Sequence, residues 1–218
     1  LRKIIIDTDP GQDDALAMMT AFGAKKDLNV LGITCVAGNV PLDLTSVNAL
    51  KICELSGFFS VPVFRGSPAP LKRKLITAEH VHGKTGLDGT DLLVKKKELE
   101  PTDAVDFIIE CTEKYRDEKI TICALGPLTN IAKVLKQDSV LTESIEEIVL
   151  MGGGFFEGGN ITPAAEFNIY VDPEAAKIVL ESGLKITMLP LDVTHKTLVQ
   201  RNFLEKLRKS GKNSAIQA

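Results

Sequence analysis

The strongest constraint on this chain is an alternation. Short runs rich in β-branched residues recur along it: "RKIIID" (2–7), "NVLGITCVA" (29–37), "VPVF" (61–64), "KITICAL" (119–125), "IEEIVLM" (145–151) and "KITMLPL" (185–191). Between them lie segments with helical character, at about 13–22, 42–57, 102–116, 127–136 and 173–183. The segment 127–136 is the clearest, because Leu128, Ile131, Ala132 and Leu135 fall at i, i+3, i+4 and i+7. Thr102 or Asp103 can cap the helix at 102–116, and Asp172 precedes Pro173 as an N-cap precedes a first-turn proline. Strands alternating with helices of this length imply βαβ units around a mostly parallel sheet. The expected fold is therefore α/β, a Rossmann-like open sheet flanked by helices, in one domain over residues 1–218.

Composition removes several classes. A hydrophobic content of 44% with 25% charged residues is globular, not disordered. A net charge of −3 gives no footprint for nucleic acid, and the short runs "LKRK" and "VKKKELE" read as solvated faces. No apolar run approaches the ~20 residues of a membrane span. Cys35, Cys53, Cys111 and Cys123 are widely spaced in apolar surroundings, as reduced core thiols of a cytoplasmic protein would be.

Two longer irregular stretches, 65–101 and 152–170, interrupt the alternation, and loops of that length are often functional. The chemistry concentrates earlier, in "IIIDTDPGQDDALAMM" (4–19), where Asp7, Asp9, Asp13 and Asp14 crowd together after an apolar strand. In open parallel sheets ligands bind outside the carboxyl ends of the strands, which is where Asp7 and Asp9 fall. Asp13 and Asp14 open the next helix, whose dipole favours negative charge. Capping accounts for one or two carboxylates, not four. A hard divalent cation accounts for more, since such ions take oxygen ligands from a strand end and a neighbouring helix start. Asp9 and Asp14 are the candidate ligands, with plain capping the alternative. Asp7 is a candidate for orienting the loop. A magnesium phosphatase with a strand-end D-x-D also fits "DTD" but leaves the following "DD" unexplained. It also finds only the isolated Asp192 as a later strand-end carboxylate.

The stretch "DTDPGQDDALA" closely resembles the hallmark of the nucleoside hydrolases, the inosine–uridine-preferring N-ribohydrolases. "GITCVAGN", "HGKTGLDG", "ALGPLTNIA", "VLMGGG", "NITPAAEFNIYVDPEAA" and "LPLDVTH" agree with the family in order along most of the chain. The resemblance implies calcium-dependent hydrolysis of the N-glycosidic bond of ribonucleosides to ribose and free base. It implies direct attack by a calcium-bound water, with inversion and no covalent intermediate. By this resemblance Asp9 ligates calcium and takes a proton from the water. Asp14 ligates calcium through its carboxylate, and Leu125 through its backbone carbonyl. Asp13 matches the acceptor of the ribose 2′-hydroxyl, Asn39 and Asn168 ribose-binding amides, and Asn160 and Glu166 contacts to the 5′-hydroxyl. Met151 matches a residue lying against the sugar. A homodimer or homotetramer is also implied.

Taken alone, these residues keep plainer readings. Asn39 and Asn160 suit turns, Met151 suits a core, and Glu166 and Asn168 flank Phe167 as on a strand with one wet face. His82 sits near the family's pocket, His80 reads as surface, and His195 is expected to orient a loop after the "LDVT" strand end. The family adds a further calcium-binding aspartate, often beside a histidine, in a C-terminal region that "VQRNFLEKLRKSGKNSAIQA" does not match. That segment reads as an amphipathic helix ending near Gly211. Three of the family's four protein ligands thus have counterparts, and the sheet is expected to expose an apolar surface. An excerpt of a longer enzyme is expected, since the chain also begins without Met. A non-catalytic nucleoside- or calcium-binding homologue is the alternative.

Overall fold

The computed structural model describes residues 1–89, 92, 94, 96–137 and 143–211. Six strands form one sheet: β1 (Arg2–Thr8), β2 (Leu28–Cys35), β3 (Val63–Arg65), β4 (Ile120–Ala124), β5 (Ile145–Met151) and β6 (Ile186–Leu189). Their order is β3-β2-β1-β4-β5-β6 and every pairing is parallel. This is the doubly wound order in which the chain reverses direction across the sheet between β1 and β4, opening a crevice at their carboxyl ends. Helices α1 (Gln12–Gly23), α2 (Leu42–Leu55), α4 (Ala104–Lys114), α5 (Thr129–Gln137) and α7 (Pro173–Leu180) lie near the expected segments, and a helical turn, α3 (Glu79–His82), interrupts the loop at 65–101.

Successive residues of a strand face opposite sides, so the isoleucine run of β1 serves two cores. Ile5 joins Ile122, Ile148 and Leu150 beneath α4, α5 and α7. Ile4 and Ile6 join Ile33 and Cys35 beneath Met18 and Phe22 of α1 and Ile52 and Cys53 of α2. Beyond α1 this second face opens into an apolar groove of about 660 Å³ lined by Ile4, Ile6, Leu16, Cys123 and Val199 among others. Asp103 caps α4 through the Val105 amide at 2.8 Å, and Asp172 caps α7 through the Ala175 amide at 3.0 Å.

Register slips once in β2, where Ile4 pairs with Val30 and Ile5 with Gly32. Gly32 is needed there because Phe107, stacked on Phe64 with centroids 3.8 Å apart, lies against its Cα. A Cβ on Gly32 would come within 2.6 Å of the Phe107 ring. Gly32→Ala is expected to cost about 1–3 kcal/mol, read as a lower denaturation midpoint at unchanged slope.

Two local expectations are corrected. "KITMLPL" stops pairing at Leu189, because Pro190 has no N–H for the ladder and instead precedes a helical turn, α8 (Leu191–Thr194). Asp192 therefore lies in a helical turn and His195 caps its carboxyl end, so neither follows a strand end. Asp192 accepts from the Phe155 and Phe156 amides at 2.8 and 2.9 Å, and His195 Nδ1 lies 3.5 Å from Glu157 Oε2, so both hold the loop after β5. The second correction is at Glu166–Phe167–Asn168, which is not strand: α6 (Phe167–Val171) begins there and Glu166 caps it through the Asn168 and Ile169 amides. The expected terminal helix spans Arg201–Ser210 (α9) with Gly211 after it. No helix among the described residues is long and apolar enough to cross a membrane.

Candidate functional site

The site is built on the carboxyl ends of β1 and β4. After β1, the chain turns through Pro10 and Gly11 into α1, and Asn48 of α2 holds that turn by donating to the Pro10 carbonyl at 3.1 Å. The turn places two carboxylates at the crevice. Asp14 Oδ1 accepts from the Thr8 hydroxyl at 2.6 Å, and its Oδ2 accepts from the Gly11 amide at 3.0 Å. Asp9 Oδ2 accepts from the Asn39 amide at 2.7 Å. The Asn39 side chain bridges the two by donating to the Asp9 carbonyl at 3.0 Å and to Asp14 Oδ2 at 3.3 Å. Asn39 is therefore more than a turn residue.

Close packing fixes the Asp9 carboxylate. A Cβ on Gly38 would lie 2.1 Å from Asp9 Oδ2, and one on Gly126 2.3 Å from Oδ1, so only glycine fits on either side. Asp7 points away from the crevice. Its Oδ2 accepts from the Thr34 hydroxyl at 2.6 Å and from Asn130 at 2.8 Å, tying β1 to β2 and α5. Its main-chain carbonyl accepts from the Leu125 amide at 2.8 Å, which fixes where Leu125 sits.

Second-half residues close the crevice. Asn168 donates to the Leu125 carbonyl at 2.9 Å and to the Met151 carbonyl at 3.2 Å. Glu166 Oε2 also accepts from the Gly153 amide at 3.0 Å, and Asn160 Oδ1 accepts from the Phe167 amide at 2.8 Å. A cavity of about 130 Å³ results. Asp13, Asp14, Asn39, Leu125, Met151, Asn160, Glu166 and Asn168 all line it, while Asp9 lies buried behind Asn39. Sequence reasoning left out Ala78, Val81, Ile161 and Phe167, which form the apolar part of the wall, and His80 lines it too despite its exposed position. No periodicity marks those residues, because two irregular loops bring them in.

The electrostatics are unbalanced. Burial, and then the charge of Asp14, pushes the Asp9 carboxyl well above its ordinary range. Burial and the charge of Asp13 push Asp14 up to about 7. Burial also raises Asp7 to about 6 and moves Glu166 upward. Among the described residues no lysine, arginine or histidine forms an ion pair with Asp9 or Asp14. Nor, among the described residues, do three His, Cys, Asp or Glu side chains converge as a metal cluster; Asp13, Asp14 and Glu166 line the cavity together with Leu125, and Asp9 is buried outside its lining.

Comparison with known proteins agrees with this architecture. The chain is 51% identical over 194 residues to an uncharacterized Schizosaccharomyces pombe protein, covering 89% of this chain and 62% of that one. It is 44% identical over 210 residues to the pyrimidine-specific ribonucleoside hydrolase RihB of Escherichia coli O9:H4, covering 96% of this chain and 66% of that one. It thus spans less than two thirds of both curated relatives. Among solved structures, the plant nucleoside hydrolase PpNRh1 superposes with a TM-score of 0.90 at 38% identity, over 96% of this chain and 66% of that one. The purine-preferring ribonucleoside hydrolase from Gardnerella vaginalis gives 0.91 at 35% identity, over 99% and 70%. The family model described as inosine-uridine preferring nucleoside hydrolase matches residues 4–218. The chain belongs to the inosine-uridine preferring nucleoside hydrolase family.

Proposed function

We propose that this chain carries the ribose- and metal-binding half of a calcium-dependent ribonucleoside hydrolase, which cleaves the N-glycosidic bond to release ribose and base. One observation carries the reading: Asp9 and Asp14 are buried, share Asn39 as a donor, and have no cationic partner among the described residues, while Leu125 lines the same cavity as Asp14. Buried carboxylates in that condition are costly unless protonated or paired with a cation. An all-oxygen donor set fits a hard divalent ion, and calcium suits flexible coordination by carboxylates and carbonyls. Asp9, Asp14 and the Leu125 carbonyl would hold it. When bound, calcium would supply the charge that makes a water acidic and would orient the ribose hydroxyls.

The chain's own groups have separate tasks in this reading. Asp9 takes a proton from the attacking water. Asp13, whose side chain is 82% exposed at the cavity rim, accepts from the 2′-hydroxyl, a contact that strengthens as positive charge develops on the sugar ring. Asn39 and Asn168 donate to the ribose, Asn160 and Glu166 meet the 5′-hydroxyl, and Met151 packs against the sugar. Ala78, Val81, Ile161 and Phe167 offer an apolar wall to the base. RihB is named for pyrimidine nucleosides and the Gardnerella protein for purine nucleosides, so both substrate classes are candidates.

Ribose release from uridine and inosine, with calcium and with a chelator, tests this. Release that stops on chelation and returns with calcium is the expected result. Nucleoside binding without release, measured calorimetrically on the same folded chain, would favour a binding homologue. Release indifferent to calcium would remove the ion from the mechanism.

A further inference from the structure

Gln12 sits in the acidic motif yet has no part in the proposed mechanism. Its side-chain amide makes two contacts with one residue. Gln12 Oε1 lies 2.8 Å from His82 Nδ1, and Gln12 Nε2 donates to the His82 main-chain carbonyl at 3.2 Å. Each contact fixes the other. A carbonyl oxygen only accepts, so the amide NH₂ faces it and the amide oxygen must face the ring. That oxygen also only accepts, so the ring nitrogen opposite it carries the proton.

Two neighbours support this arrangement. Asp13 Oδ1 lies 4.0 Å from the same ring nitrogen, placing negative charge near that N–H. Gly11 lets the ring settle on the turn, since a Cβ there would stand 2.5 Å from His82 Nδ1. Burial outweighs the pull of Asp13 and lowers the ring's pKa, so the ring is neutral near pH 7. In a neutral ring protonated at Nδ1, Nε2 is a pure acceptor. No hydrogen bond to a described residue occupies it, and His82 lines the cavity beside Val81 and Phe167.

We propose that Gln12 is a positioning residue that locks His82 in its Nδ1–H tautomer, so that Nε2 accepts a hydrogen bond from an N–H of the substrate's nucleobase. This rests on the nucleoside reading of the cavity. The base class follows from the chemistry: one with a ring imide or exocyclic amino N–H on the edge facing His82, in preference to an analogue methylated there.

The test is spectroscopic and needs no turnover. In ¹⁵N-histidine-labelled protein at pH 7.5, long-range proton–nitrogen spectra distinguish the tautomers, with His82 assigned by its loss in His82→Gln. Wild type is expected as the Nδ1–H form. Gln12→Leu, at an exposed position, is expected to relax to the Nε2–H form that free imidazoles favour. Gln12→Glu, which keeps an acceptor, is expected to restore Nδ1–H. Adding uridine or inosine should move the Nε2 resonance in wild type. In kinetics, Gln12→Leu should raise KM up to about tenfold, the worth of one neutral hydrogen bond, with kcat little changed. An Nε2–H ring in wild type, or an Nδ1–H ring in Gln12→Leu, overturns the proposal. A locked ring whose Nε2 ignores bound nucleoside overturns the base contact, while ribose release judges the nucleoside reading on its own.

Discussion

Asp9→Asn is expected to reduce ribose release by at least about 10³-fold while leaving the chain folded. A positioned general base contributes roughly 10²–10⁴ in rate, and the same change removes one charged ligand from the proposed calcium site. The amide has the shape of the carboxylate, so it fits between Gly38 and Gly126, and its oxygen can still accept from the Asn39 amide. The measurement pairs initial rates on uridine with calcium titration of the folded variant. Weak calcium binding together with lost turnover is the expected pair. A variant that turns over like wild type would take Asp9 out of both roles.

Asp14→Asn is expected to stabilise the metal-free chain near neutral pH, by on the order of 4 kcal/mol. An ordinary aspartate ionises near 3.8, whereas burial and Asp13 move this one to about 7. The folded state therefore holds the proton more tightly than the unfolded chain does. That advantage is fully present below pH 3.8 and is lost as pH rises from there to about 7. Each pKa unit is worth about 1.4 kcal/mol, so above pH 7 the wild type carries a penalty of that order. Asparagine escapes it and keeps the contacts, with its oxygen toward Gly11 and Asn39 and its NH₂ toward the Thr8 hydroxyl. Denaturant melts with chelator present should therefore favour the variant at pH 7.5, with the gap closing toward pH 4. Calcium should reverse the order, because a cation rewards the ionised carboxylate that burial penalises. A variant less stable than wild type at pH 7.5 without metal would mean that the pair is already balanced by another charge.

The two effects have one origin. A fold that buries Asp9 and Asp14 together penalises their ionised forms, and the proposed cation is what would offset that penalty. Asp7 differs. It is as deeply buried, but its hydrogen bonds to Thr34 and Asn130 make it a strut between β1, β2 and α5. Its main-chain carbonyl adds a contact to the Leu125 amide.

The sequence by itself determined the α/β class, because alternation of period-two and period-3.6 segments leaves few other ways to bury apolar faces. It also located the acidic loop at the end of β1, since that depends only on neighbours along the chain. The caps at Asp103 and Asp172 were legible for the same reason. Local signals failed where a proline intervened: Pro190 ended β6 early and moved Asp192 and His195 onto a helical turn. They failed again at Glu166–Phe167–Asn168, where the alternation of a wet strand coincides with the first turn of a capped helix.

Only the tertiary structure decided what meets across the crevice. That β1 and β4 are neighbours brings Leu125 to Asp9 and Asp14, 111 residues away from the latter (125 − 14). The loops at 65–101 and 152–170 then bring Val81, His82 and Phe167 into one wall. The Gln12–His82 contact spans 70 residues and leaves no trace in either local sequence. Such contacts depend on sheet order and loop paths, and their energies come from burial and desolvation. Both exist only once the whole chain has folded.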